Sequence, residues 1–328
     1  MKLNLRPLFS ALSLSTFTLA VSLSAQSAMA ADVKVTPLGS MDGEFCQLDR
    51  AMILEDPDGT RLLYDPGRTV AGVDDKRLGK IDVVLISHMH GDHVGDKHIG
   101  SPGKGECKDT QFPVNALPST SAAKIAHAKG AKIITGSEMP KFFAKKLKKL
   151  GGDPKNSQLV RFGASTMVNG VTITTVPAAH SNGVSGQFIG GKLGEMLEAS
   201  GLTAYAGPPT GYIITFSNGL VTYLSGDTGI TAEQETVVGD YYKAKLVVIN
   251  IGDTFTTGPK EAAWVVNKLI KPQSIIPSHA NQPSTAGGKI IEGSRLALFK
   301  EESEAAVHVP LSGRTMSFDS KGICSSGC

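Results

Sequence analysis

Ser87-His88-Met89-His90-Gly91-Asp92-His93 follows directly on an apolar run, Ile81-Asp82-Val83-Val84-Leu85-Ile86. The run reads as a buried strand. Three of the chain's eight histidines and one carboxylate then fall within six residues. Imidazole nitrogen and carboxylate oxygen suit zinc, iron, manganese and similar divalent ions. In extended chain, His88 and His90 project the same way, because side chains alternate with period two. Gly91 lets the chain turn, so that Asp92 and His93 can face a second ion.

Working outward, residues 33–38, 45–54 and 61–64 read as strands before the motif, with turns at Asp56-Pro57-Asp58-Gly59 and Asp65-Pro66-Gly67. Beyond it, Ser119-Thr120-Ser121 can cap a helix that runs to Lys129, before Gly130. A strand at 131–135 and a helix at 137–150 follow, then a strand at 171–176. Residues 181–209 are a glycine-rich loop or insertion with a short helix near 193–199. Asn218-Gly219 marks a hairpin of 211–216 with 220–224. Strands at 246–251 and 274–277 flank a helix at 259–269, with Thr256 or Thr257 as its cap. The order is β-rich, α/β, β-rich, α/β. It suggests two similar halves in one domain, residues 31–328, each a mixed sheet covered by helices on one face.

Three more apolar strands or hairpins end in a metal-competent side chain: His180 after Val176-Pro177-Ala178-Ala179, Asp227 after Leu224-Ser225-Gly226, and His279 after Ile276-Pro277-Ser278. A sheet holds such ends rigidly, so ligands distant in sequence can meet. Together these stretches resemble the HxHxDH and later ligand motifs of the metallo-β-lactamase-fold hydrolases, from about residue 33 to 279. Gly239-Asp240-Tyr241-Tyr242-Lys243 and Gly258-Pro259-Lys260-Glu261-Ala262-Ala263 bring the chain nearest to the ascorbate-6-phosphate-lactonase-like branch. The resemblance implies an α/β fold, a four-layer αβ/βα sandwich. It implies one ion on His88, His90 and His180, a second on Asp92, His93 and His279, and Asp227 as the bridge. Two divalent ions carry +4, against −3 for two carboxylates and one hydroxide. Zinc comes first, with manganese or iron(II) as alternatives. Asp227 stands where one lactamase class has a cysteine ligand, which turns the reading away from β-lactams toward lactones, esters and phosphoesters.

Residues 1–30 carry only Lys2 and Arg6 as charges, around an apolar and small-residue segment that ends in Ala28-Met29-Ala30. This is the pattern of a secretory signal peptide, too short and too interrupted by Ser and Thr for a membrane anchor. Its removal leaves 31 basic against 30 acidic side chains, so charge gives no reason to expect nucleic acid, and no later stretch approaches eighteen continuous apolar residues, so stable membrane insertion is not expected. The basic run Lys141, Lys145, Lys146, Lys148 and Lys149 reads as a solvated helix face. Four cysteines in an exported chain suggest disulfides. Four cysteines allow three pairings, one of which closes a small loop between Cys324 and Cys328 and leaves Cys46 with Cys107.

The expected protein is an exported, periplasmic or secreted, binuclear metal-dependent hydrolase acting on a small ester, lactone or phosphoester through a metal-bridging hydroxide. Asp92 is the candidate to orient the nucleophile and pass a proton. Asp65 is either a turn residue or an outer partner of a ligating histidine. The same holds for Thr228, Asp253 and Thr257, each of which a turn or cap explains as well. His98, His127 and His308 are assigned to structure or surface, although His98 is close enough to face the pocket. The alternatives are a phosphodiesterase for a lipid or nucleotide-like substrate, and a non-catalytic metal-binding protein of the same fold.

Overall fold

Val83 and Leu85 face one way and Val84 and Ile86 the other, and all four are buried. A strand covered on both faces needs an apolar layer on each side. The computed structural model, which describes Met1 and residues 31–328, supplies both. Apart from Met1, the leader expected at 1–30 lies outside the described residues.

Fifteen strands make two mixed sheets. The first contains β1 (Val33–Pro37), β2 (Met52–Glu55), β3 (Arg61–Tyr64), β4 (Val83–Leu85), β5 (Lys132–Thr135), β6 (Ser157–Leu159) and, from the C-terminus, β14 (Met316–Phe318) and β15 (Cys324–Ser326). The second contains β7 (Ser165–Val168), β8 (Val171–Pro177), β9 (Thr210–Thr215), β10 (Val221–Leu224), β11 (Leu246–Asn250), β12 (Ser274–Ser278) and β13 (Ala306–Val307). Their orders are β15-β14-β1-β2-β3-β4-β5-β6 and β13-β12-β11-β10-β9-β8-β7.

The inner faces meet in one core, in which Val35, Leu54, Val83 and Leu85 join Ile173, Tyr212, Ile214, Leu224, Val248 and Ile276. The alternate residues Ile53, Leu63, Val84 and Ile133 pack outward on Ile125 and Phe143 of helices Ser121–Lys129 and Met139–Lys149. On the other side, Val247, Ile249 and Ile275 pack on Ala262, Val266, Leu296 and Phe299. The result is the four-layer αβ/βα sandwich expected from the sequence. Each fully buried Val, Leu, Ile or Phe contributes about 1.5–3 kcal/mol of apolar transfer to holding those layers.

Strand direction puts the candidate ligands together. β8 and β10 both run antiparallel to β9, and β11 and β12 run parallel to β10. The chain therefore leaves β8, β10 and β12 at one edge of the second sheet, where His180, Asp227 and His279 begin the loops. Open sheets bind ligands at this carboxyl edge. β4 delivers the 88–93 motif to the same place. Tyr212 Oη donates to the Ile86 and Ile134 carbonyls at 2.6 and 2.9 Å, which ties the second sheet to the end of β4.

Four expectations need correction. Residues 45–51 are not strand. There the Asp49 carboxylate accepts from the Ser40 and Cys46 amides at 2.9 Å, and Thr285 Oγ1 accepts from the Phe45 amide. Side chains thus satisfy donors that a ladder would otherwise need. Thr257 does not cap the helix Pro259–Trp264; its N-cap is Gly258, and Thr257 Oγ1 is held by Asn250. Residues 181–209 contain two helices, Gly186–Ile189 and Gly191–Ala199, rather than one. Lys146 is buried rather than solvated, and its ammonium donates to the Pro118 and Phe188 carbonyls. Burial, aided by Lys149, pushes it down to about 8. Cys46 is bonded to Cys107 and Cys324 to Cys328.

Candidate metal centre

All seven expected ligands converge at the shared edge. Their donor atoms fall into overlapping groups: His88, His90 and His180; His88, His93 and Asp227; and Asp92, His93 and His279. Asp227 is central. Its Oδ2 lies 3.0 Å from His279 Nε2, 3.3 Å from His93 Nε2, 3.8 Å from His180 Nε2 and 3.9 Å from His88 Nε2. His90 presents Nδ1, 2.9 Å from His88 Nε2. Two ring nitrogens that close gain nothing from each other unless a proton or a cation lies between them. Nitrogen and oxygen donors aimed at shared points are the chemistry of a divalent-metal site, and the residues fit one.

Burial sets the protonation states. It pushes His88 well below the ordinary imidazole range, and the neighbouring His93 adds to the effect. It pushes His90 down to about 4, helped by His180, and lowers His180 and His279 as well. These rings are neutral at pH 7 and keep a lone pair for a metal. Burial would also lower His93, but Asp227 and Asp65 outweigh it and raise the ring. Burial would raise Asp227, but His279 and His93 hold its carboxyl well below the usual range.

Asp65 fixes which nitrogen is free. Its Oδ1 accepts from the Ser87 amide at 2.8 Å, and its Oδ2 accepts from Ser87 Oγ at 2.6 Å and from His93 Nδ1 at 2.8 Å. Ser87 Oγ, its own proton given to Asp65, accepts from His88 Nδ1 at 2.9 Å. One buried carboxylate thus takes the Nδ1 side of both rings, directly for His93 and through Ser87 for His88, and turns Nε2 of each toward the cluster. Asp65 is held at φ 38°, a left-handed conformation rare outside glycine, and His279 is held at φ 50°. Gly226, at φ 62°, is required: a Cβ there would lie 2.9 Å from Ser87 Cβ and from the Thr210 carbonyl.

Further contacts join the loops. Thr228 Oγ1 accepts from the Ala179 amide at 3.0 Å, linking the Asp227 and His180 loops, and its own amide donates to Asn250 Oδ1. Asn182 Oδ1 accepts from the Met89 amide at 2.8 Å. Asp253 only closes its own turn, on the Thr254 amide. His98 stays out of the cluster, packed on Gly72 with Nδ1 donating to the Ile99 carbonyl. Sequence reasoning missed Arg50, Ser87, Asn182 and Asn250. Arg50, 3% exposed, places its guanidinium on Asp92 and near His93. Burial pushes it down to about 10, against the pull of Asp227 and Asp65. The signal for it was an Asp-Arg pair breaking an apolar run.

A cleft of about 370 Å³ opens beside His90, lined by Met89, Gly91, Ser181, Gly183, Ser185, Phe188 and Thr203. The 181–209 segment therefore forms one of its walls.

The model of the β-lactamase superfamily domain matches residues 49–279, which span every candidate ligand. The chain belongs to the metallo-β-lactamase superfamily. Within it, the chain is a member of the UPF0173 metal-dependent hydrolases. It is 33% identical to one from Cupriavidus necator over 247 residues, 74% of this chain and 71% of that one. It is similar in fold to Igni18, a metallo hydrolase from Ignicoccus hospitalis, with 23% identity, a TM-score of 0.58, and coverage of 88% of this chain and 99% of that one. YhfI from Bacillus subtilis, a metallo-β-lactamase fold protein, follows at 15% identity and a TM-score of 0.53, over 87% and 99% of the two chains. This metal-dependent hydrolase thus carries a buried His/Asp donor set at the sheet edge.

Proposed function

We propose that this superfamily member is an exported hydrolase of small esters or lactones, with phosphoesters as the neighbouring class, and that His88, His90, Asp92, His93, His180, Asp227 and His279 form its metal site. The observation that carries the reading is Asp227 at the centre of the cluster, within 4 Å of four imidazole nitrogens. A carboxylate at that point favours oxygen-bound hydrolytic nucleophiles over the thiolate-supported site of one lactamase class. The lactonase-like wording of residues 239–243 and 258–263 supports C–O cleavage. The apolar leader pattern and two disulfides support export to the periplasm or beyond. Of the three overlapping donor groups, His88, His90 and His180 and, separately, Asp92, His93 and His279 match the two divalent ions expected, zinc first, but the latter group is shared with the Arg50 guanidinium.

A divalent ion on these donors supplies Lewis acidity and a nucleophile at neutral pH. The chain's own residues do the rest. Asp65, through Ser87, keeps the ligand nitrogens free and fixed. Asp92, whose side chain is 24% exposed, is the carboxylate that reaches the open side, where it can accept a proton and deliver it to a leaving oxygen. Met89 and Phe188 line the cleft with apolar surface, and Ser181, Ser185 and Thr203 line it with hydroxyls, a mixture suited to a small, partly polar substrate.

The test uses the purified mature chain on a panel of a γ-lactone, an aryl ester and an aryl phosphodiester. Lactone or ester turnover is expected, lost on chelation and restored by zinc. Turnover that survives chelation, or that survives Asp227→Ala unchanged, would overturn the reading.

A further inference from the structure

We infer that Arg50 takes the place of a second metal ion, so that the folded chain holds one divalent ion, on His88, His90, His180 and Asp227; this rests on the metal-dependent reading above. The donors left for a second ion are Asp92, His93 and His279. Arg50 Nη1 is already on two of them. It donates to Asp92 Oδ2 and lies 3.4 Å from His93 Nε2. His93 Nδ1 is held by Asp65, so only Nε2 can face an ion, and it offers one lone pair at most. A guanidinium N–H and a metal ion cannot both use that pair.

Arg50 also has no other place to go. It is 3% exposed, and among the described residues its Nε and Nη2 have no hydrogen-bond partner, so Asp92 is its anchor. Its loop is pinned by the Cys46–Cys107 disulfide and by the Asp49 carboxylate on the Ser40 and Cys46 amides. A guanidinium is charged at neutral pH. A divalent ion bound by Asp92 and His93 would therefore sit beside a fixed positive charge. Its Nη1 is held on Asp92 Oδ2 and beside His93 Nε2, two of the atoms the ion would need. The first group shows the opposite. Among the described residues, the hydrogen bonds and ion pairs of His88, His90 and His180 involve Ser87, Ser181, Asp227 and one another, and no lysine or arginine.

The experiment is metal stoichiometry by mass spectrometry of the mature full-length protein, loaded with excess zinc and freed of unbound metal by gel filtration. Wild type is expected to hold one zinc per chain. His180→Ala is expected to lose it, and His279→Ala to retain one zinc per chain. Arg50→Ala is expected to hold two, with folding checked by circular dichroism. If Arg50→Ala does not fold, the comparison of wild type with His279→Ala decides. Two zinc ions in wild type, a His279→Ala variant that loses zinc, or a folded Arg50→Ala variant that still holds one would each overturn the assignment to Arg50. Two ions with hydrolysis intact would leave the hydrolase reading standing, whereas hydrolysis by metal-free protein would remove it.

Discussion

Asp65→Asn puts the hydrogen-bond relay behind the ligands to a direct test. The carboxylate receives three donors: the Ser87 amide on Oδ1, and Ser87 Oγ and His93 Nδ1 on Oδ2. It is 1% exposed, so water cannot replace a lost partner. An amide has one oxygen, and either orientation fails. With its oxygen at the Oδ2 position, the NH2 group meets the Ser87 amide, donor against donor. With its oxygen at the Oδ1 position, the NH2 group faces Ser87 Oγ and His93 Nδ1. Both must then become acceptors, which moves the His93 proton onto Nε2 and breaks the hold on His88. The first outcome leaves a buried donor unsatisfied, a cost of about 1–3 kcal/mol. The second removes a ligand lone pair, and loss of such an outer partner lowers metal affinity about 10–100-fold. We expect a fold retained by circular dichroism, a lower urea midpoint, and zinc affinity reduced within that range in a competition titration with a chromophoric chelator. Imidazole nitrogen shifts should report the changed tautomers. Wild-type zinc affinity with unchanged tautomers in Asp65→Asn would refute the relay.

Two further outcomes follow from the loop that carries Arg50. Burial pushes Asp49 up to about 6, partly offset by the Cys46 and Ser40 amides, from an ordinary 3.8. The folded state thus keeps this proton to higher pH than the unfolded chain does. Stability should therefore fall as pH rises from about 4 to 6, by about 3 kcal/mol, and level off above. Asp49→Asn should flatten that slope in urea melts compared across pH, while starting from a lower stability because it loses an acceptor; equal slopes would count against the buried carboxyl. The disulfides should differ in effect. Cys46 and Cys107 are 61 residues apart and Cys324 and Cys328 only 4. On chain entropy alone, removing the first costs about 4 kcal/mol and the second about 2 kcal/mol. Thermal melts of the two double-Ser variants should rank in that order, and the reverse order would show that loop closure is not what these bonds contribute.

What the sequence showed and what it hid divide along a physical line. β4, β8, β10 and β12 were legible because each is a short apolar run with a polar residue just past its end, and an unsatisfied imidazole or carboxylate at such a place has few structural uses. The four layers were implied by the family resemblance, and residues 83–86 and 246–249, apolar in both phases of the period-two pattern, are buried on both faces in agreement with it. Residues 45–51 were misread for the same reason: Phe45, Cys46, Leu48 and Ala51 look like strand, and nothing local reveals that Asp49 will serve as the loop's hydrogen-bond acceptor. Lys146 resembled its neighbours Lys145 and Lys149 until packing put Pro118 and Phe188 carbonyls around its ammonium.

Arg50 is the sharpest case. A metal ligand announces itself by its type, because few other roles need three histidines in six residues. A cation that competes with a metal does not, because arginine is an ordinary surface residue. Its meaning here comes from position: 42 residues separate it from Asp92, and only the packing of β2 beside β3 and β4 brings the guanidinium onto the ligand atoms. On the inference drawn above, the ligand set has the capacity for two ions and the Arg50 charge limits the chain to one.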